Sequence, residues 1–225
     1  MKPHTSKGIR AAANILARAG STSRLTPPTI RRLVRALLRS EFEASHIDLR
    51  SSPMGLVFLD VVDFTQWTES NGDHAAVDLL DDLERSVLRE IRIGKGKIIK
   101  RLGDGFFLAF PTASQAIRAS LEMNRSILSS LEPRGLSARI SVHTGRPVIW
   151  SDDIIGHDVN VTSRLLDNCP AGTIVVSEAA KTLAERRLRT VGFKFLGTVR
   201  LRGVERPCLL YAAKRVRRGK NRIPA

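Results

Sequence analysis

The segment GKIIKRLGDGFFLAF constrains this chain more than any other. Two short runs rich in Ile, Leu and Phe flank Gly103-Asp104, which predicts strands over 97–102 and 105–110 joined as a β-hairpin. A lone hairpin is marginal in water, so an apolar one needs further strands and a helical cover. The flanking sequence supplies both. The run from Met54 to Leu59 is short, apolar and closed by Asp60, as a buried strand would be. Helical periodicity covers 73–93 and 113–131. A strand follows over 137–143, then a loop through Gly156, a helix over 159–167, a strand over 173–177 and a short helix over 178–185. Strands over 193–202 and 207–212 close the set. The expected fold class is α+β, a ferredoxin-like mixed β-sheet with helices packed on it.

Charge divides the chain. The net charge of +15 suggests a polyanion partner until it is located along the sequence. Residues 1–50 hold ten Lys/Arg against Glu41, Glu43 and Asp48, and residues 214–225 hold six Lys/Arg and no acid. The body between is close to neutral. The reading is a basic N-terminal arm and helix over 1–50, regulatory or bracing a dimer, a nearly neutral folded domain over 54–213, and a basic tail over 214–225. Within the first part, Ile30, Leu33, Val34, Leu37 and Leu38 recur at helical spacing opposite arginines, which fits a helix packing on the domain or its dimer mate better than one on a membrane surface. The flanks lack aromatic interleaving and a helix-turn-helix pattern, so they give no firm case for nucleic acid, while attraction to anionic lipid stays open. No apolar stretch approaches the roughly 20 residues that cross a bilayer, and residues 1–20 lack a signal-peptide core, so the expected location is cytoplasmic. Cys169 and Cys208 are too few for a disulfide framework or zinc site and read as structural.

Asp60 and Asp104 stand at a strand end and a hairpin tip. If those strands are neighbours, the two carboxylates converge and offer hard oxygen ligands to Mg²⁺. The competing reading is that Gly-Asp-Gly is good turn chemistry and Asp60 caps the helix after its strand.

Four motifs in one order, FLDVVDFT, GKIIKRLGDGFFLAF, RISVHTG and DIIGHDVNVTSRL, with LRGVERPCLLYAAKR closing the span, resemble the class III nucleotide cyclase catalytic domain over about residues 55–214. The resemblance implies an adenylate cyclase converting ATP to 3′,5′-cyclic AMP and pyrophosphate, with two Mg²⁺ or Mn²⁺ ions per site. Asp60 and Asp104 would hold the metals, and the amides at Phe64 and Thr65, after Asp63, would cradle the triphosphate at a helix start. Asp63 stands where the family often has Gly. Lys100 and Asp153, with Asp152 beside it as the alternative register, match the purine-reading pair. An ammonium donates to adenine N1 and a carboxylate accepts from N6, whereas guanine inverts both demands. Asn160 and Arg164, one helical turn apart, match the residues that orient the ribose and stabilise the α-phosphate. Arg202 matches a position for the terminal phosphates. His143 reads as a buried structural histidine. In the family the metal aspartates of one subunit face the purine pair and Asn/Arg pair of the other, which implies a homodimer with shared active sites. The alternatives are a guanylate cyclase, a silent nucleotide-binding relative or, more distantly, a nucleic-acid-binding protein.

Overall fold

The computed structural model describes residues 53–150 and 153–216. The arm and amphipathic helix read within 1–50, and most of the basic tail, lie outside the described residues.

Strand β1, Met54–Val62, is the axis of the domain. Every side chain from Met54 to Leu59 is buried, as a near-continuous apolar run demands when both faces of a strand are covered. It pairs antiparallel with β3 (Gly105–Phe110) on one side and β4 (Ser137–Gly145) on the other. Beyond β3 lies edge strand β2 (Lys97–Leu102). Beyond β4 come β7 (Ile174–Ser177), β9 (Cys208–Arg215) and the edge strand β8 (Val191–Val199), giving the order β2-β3-β1-β4-β7-β9-β8. Only β4 and β7 run parallel, so the sheet is mixed, as expected.

On one face pack α2 (Asp73–Gly94) and α3 (Ala113–Leu131), with short α5 (Glu178–Ala184) against α3. Leu79, Leu83, Val87 and Ile91 form the buried stripe of α2 at successive turns. The Thr112 hydroxyl caps α3 by accepting from the Gln115 amide at 3.2 Å. Gly55 lets α3 lie directly on β1, because a Cβ there would stand 2.4 Å from Ala116 Cβ and 2.7 Å from the Thr112 carbonyl oxygen. On the other face sits α4 (His157–Asp167).

The structure departs from expectation in several places: β1 runs past Asp60 to Val62, β8 ends at Val199 rather than 202, and β9 reaches Arg215. The helix expected to open after Asp63 is present as α1 (Phe64–Asn71), a short helix split from α2 at Gly72, whose φ of 82° an L side chain would resist. The stretch read as a loop through Gly156 contains a small hairpin, β5 (Val148–Trp150) with β6 (Asp153–Ile155).

Candidate active site

Sheet order makes β1, β3 and β4 neighbours, and this brings Asp60, Asp104 and a third residue into one corner. Asp60 stands opposite Arg139 in the β1–β4 register. Arg139 donates from Nε and Nη2 to Asp60 Oδ2 at 3.0 and 2.8 Å, a two-pronged, charge-assisted contact. Asp104 sits at the β2–β3 tip, where Gly103 takes a φ of 66°. A Cβ on Gly105 would lie 2.6 Å from the Leu59 carbonyl oxygen and 3.4 Å from Asp60 Oδ1, so glycine permits the hairpin to close on the end of β1. Burial pushes the Asp104 carboxyl above its ordinary value, and the nearby Asp60 charge adds to that push.

Two hard carboxylates suit a divalent ion whose remaining ligands are waters and phosphates. Among the described residues, no group of three or more His, Cys, Asp and Glu could hold a metal without such help. The Asp60 carboxylate also already carries a cation, Arg139. The residues present therefore fit Mg²⁺ or Mn²⁺ bound together with a phosphate ligand.

Past this corner, Asp63 adopts the left-handed conformation (φ 60°, ψ 23°) ahead of α1 and is exposed. That backbone favours glycine, the residue the family often has here. The turn aims the first amides of α1, those of Phe64 and Thr65, away from the helix body with no acceptor inside it.

A second group gathers on the α4 face. A cleft of about 660 Å³ opens there, lined by Phe58, Lys100, Phe107, Asp153, Ile154 and Asn160 among others. Phe58 and Phe107 stack at its floor, centroids 4.4 Å apart and planes 15° apart. Lys100 Nζ is ion-paired with Asp153 Oδ2. The bond from Lys100 holds the Asp153 carboxyl below its ordinary range. The Ile154 amide donates to Asp153 Oδ1 at 2.9 Å. Asn160 enters from the first turns of α4. Its partner Arg164, one turn on, points instead at the β8–β9 loop, where a Cβ on Gly203 would lie 3.2 Å from the Arg164 guanidinium. Arg202, next to Gly203, is exposed. Lys100, Asp153 and Asn160 thus share one cleft, Asp60 and Asp104 share another corner, and Arg164 lies against the loop that carries Arg202.

Arg139 is the residue that sequence reading missed. Its signal is a cross-strand register between residues 79 apart, invisible until β1 and β4 are known to pair. His143 is 9% exposed, with Nδ1 2.7 Å from Ser177 Oγ and Nε2 3.5 Å from Asp158 Oδ1. This has the outline of a nucleophile relay, yet Ser177 caps α5 by accepting from the Ala180 amide and is buried. It ties β4 to α4 and α5 instead. The bond from His143 keeps the Asp158 carboxyl below its ordinary range.

The profile of the adenylate and guanylate cyclase catalytic domain matches residues 49–214. The chain is 29% identical to an adenylate cyclase of Mycosarcoma maydis over 56% of its own length, but it spans only 6% of that relative. Among solved structures, adenylyl cyclase CyaB from P. aeruginosa superposes with a TM-score of 0.63 at 22% identity, covering 74% of this chain and 95% of that one. The guanylate cyclase domain of RhGC from Catenaria anguillulae, in complex with GTP, gives 0.63 at 15% identity, covering 73% and 97%. Fold and sequence agree: the chain belongs to the adenylate and guanylate cyclase catalytic domain family.

Proposed function

We propose that this chain is an adenylate cyclase that converts ATP to 3′,5′-cyclic AMP and pyrophosphate in a homodimer with shared sites. The observation that carries the choice of ATP is the Lys100–Asp153 pair on the rim of an aromatic-floored cleft. The base would lie in the cleft, with the Lys100 ammonium donating to adenine N1 and Asp153 accepting from N6. Those contacts cost little. Lys100 is 52% exposed and Asp153 23%, so the ion pair they surrender to the nucleotide is a surface pair worth about 0–1 kcal/mol. Asn160 would hold the ribose from the same wall. Arg164 would neutralise charge on the α-phosphate as the 3′-oxygen bonds to phosphorus, the α–β bridging bond breaks and the hydroxyl proton passes to solvent. Asp60 and Asp104 would hold Mg²⁺ or Mn²⁺, and the chemistry so supplied would be a lowered pKa for the ribose hydroxyl and screening of the leaving pyrophosphate. Arg139 adds a guanidinium where that negative charge collects, and the Phe64 and Thr65 amides add helix-start donors.

The carboxylate corner does not line this chain's cleft. A second copy would bring its Asp60 and Asp104 to it, and a two-fold axis would make two such sites. Product formation from ATP and GTP, with Mg²⁺ or Mn²⁺, tests the reading. Cyclic AMP from ATP is expected, and cyclic GMP as the main product would overturn the assignment. A mixture of Asp104→Ala and Arg164→Ala proteins, each inactive alone, should regain activity; no recovery would sink the shared-site reading.

A further inference from the structure

Two neighbouring cations stand on β2, Lys100 and Arg101, and only one of them can face the cleft. Side chains alternate along a strand, and residues directly opposed on antiparallel strands share a face. The β2–β3 ladder pairs Lys97 with Ala109 and Ile98 with Leu108, then resumes with Lys100 opposite Phe107 and Arg101 opposite Phe106. Ile99 is therefore an extra residue, a β-bulge. Phe107 belongs to the cleft floor, and Lys100 shares its face. If the register of Lys97 and Ile98 ran on unbroken, drawing Leu102 out of its pairing with Gly105 and into a longer turn, Lys100 would stand opposite Phe106 on the α2 face and Arg101 opposite Gly105 on the cleft face. A one-residue slip would thus exchange the ammonium that meets Asp153 for a planar guanidinium fork.

The groups that resist this slip lie on the α2 face. The Arg101 guanidinium sits 5.6 Å from the centroid of the Phe106 ring and is ion-paired with Glu84 of α2. Glu84 is only 2% exposed, and a buried carboxylate deprived of its cation is strongly disfavoured. Slipping β2 would withdraw Arg101 from both contacts at once. We infer that Glu84, through Arg101, is a positioning residue that fixes the bulged register of β2 and so makes Lys100 the cation that reads the base. Neither residue lines the cleft. The inference rests on the adenylate cyclase reading and deepens it: purine selectivity is set from the opposite face of the sheet.

The test measures kcat and KM for ATP and GTP, with urea midpoints, on the full chain and four variants. Lys100→Ala is the reference for a lost base contact. Glu84→Gln should raise KM for ATP and lower the ATP:GTP ratio of kcat/KM, each by about tenfold, the scale of one lost charge-assisted hydrogen bond. The double variant Glu84→Leu/Arg101→Met should do the same while remaining stable, because replacing both members of a buried pair by apolar groups is often neutral. Arg101→Lys keeps a cation beside Glu84 and should stay within about twofold of the parent. A folded double variant with the parent's ATP:GTP ratio would overturn the inference, leaving Glu84 and Arg101 as a helix-to-sheet tether. A parent protein without ATP preference, or a Lys100→Ala variant that keeps it, would instead refute the reading of Lys100, and the inference would fall with it.

Discussion

The carboxylate corner and the Lys100–Asp153 cleft differ in how they are held by the sheet. Asp60 stands near the end of the central strand, paired on both sides, and its carboxylate is gripped by two guanidinium nitrogens of Arg139. The cleft rim is made from an edge strand carrying a bulge and from a hairpin with three residues per strand, held together by one half-exposed ion pair. Asp60 is thus set on the central strand, whereas Asp104 at the β2–β3 tip and the Lys100–Asp153 pair stand toward the margin of the sheet. On the proposed function, a metal-binding carboxylate would gain from the first setting, and base preference could be retuned at the second without disturbing the core.

The sharpest way to break this contrast is to remove one carboxylate from each region. Asp104→Asn should lower kcat by at least about 10²-fold with little change in KM, and Asp153→Asn should mainly raise KM for ATP, by about tenfold. Steady-state kinetics on both variants checks this, and equal losses of kcat would erase the distinction. Gly55→Ala comes next, since it drives a Cβ into Ala116 and the Thr112 carbonyl at the other end of β1 from the corner. It should cost about 1–3 kcal/mol in urea unfolding.

A smaller effect has opposite signs in the two regions. Burial raises the Asp104 pKa, so ionising it weighs against the folded state, and that cost appears as pH rises through the folded value. The Lys100 bond lowers the Asp153 pKa, so its contribution is present above the usual carboxylate range and fades as pH falls through the folded value. At pH 7 Asp104→Asn should therefore shift the urea midpoint up and Asp153→Asn slightly down. Both shifts should shrink below about pH 4. The smallest expected effect concerns Cys169. Burial pushes its thiol up to about 11, so native alkylation at pH 8 should label half-buried Cys208 well before it.

Much of the fold was legible in the residues. The β2–β3 hairpin and α3 have the limits their sequence signals set, because Gly-Asp-Gly and Thr112 mark boundaries locally. The β5–β6 hairpin was not legible, since three residues per strand are too few to show alternation. The resemblance names Lys100 and Asp153, which the structure pairs on one cleft, but it does not give the reason Lys100 faces that cleft. A period-2 reading of KIIKRL cannot reveal a bulge, which exists only relative to β3. Arg139 was hidden for a similar reason, its meaning lying wholly in its partner strand.

The sheet order also sets a timetable. Strands β8 and β9 are neighbours in sequence and can pair through a short loop, whereas β1 waits for partners that come roughly 50 and 80 residues later. During synthesis from the N-terminus, Asp60 leaves the ribosome early, yet nothing orients its carboxylate until Arg139 has followed. The oldest part of the nascent domain therefore waits for the middle of the chain, and acquires its partners before β7, β8 and β9 are made.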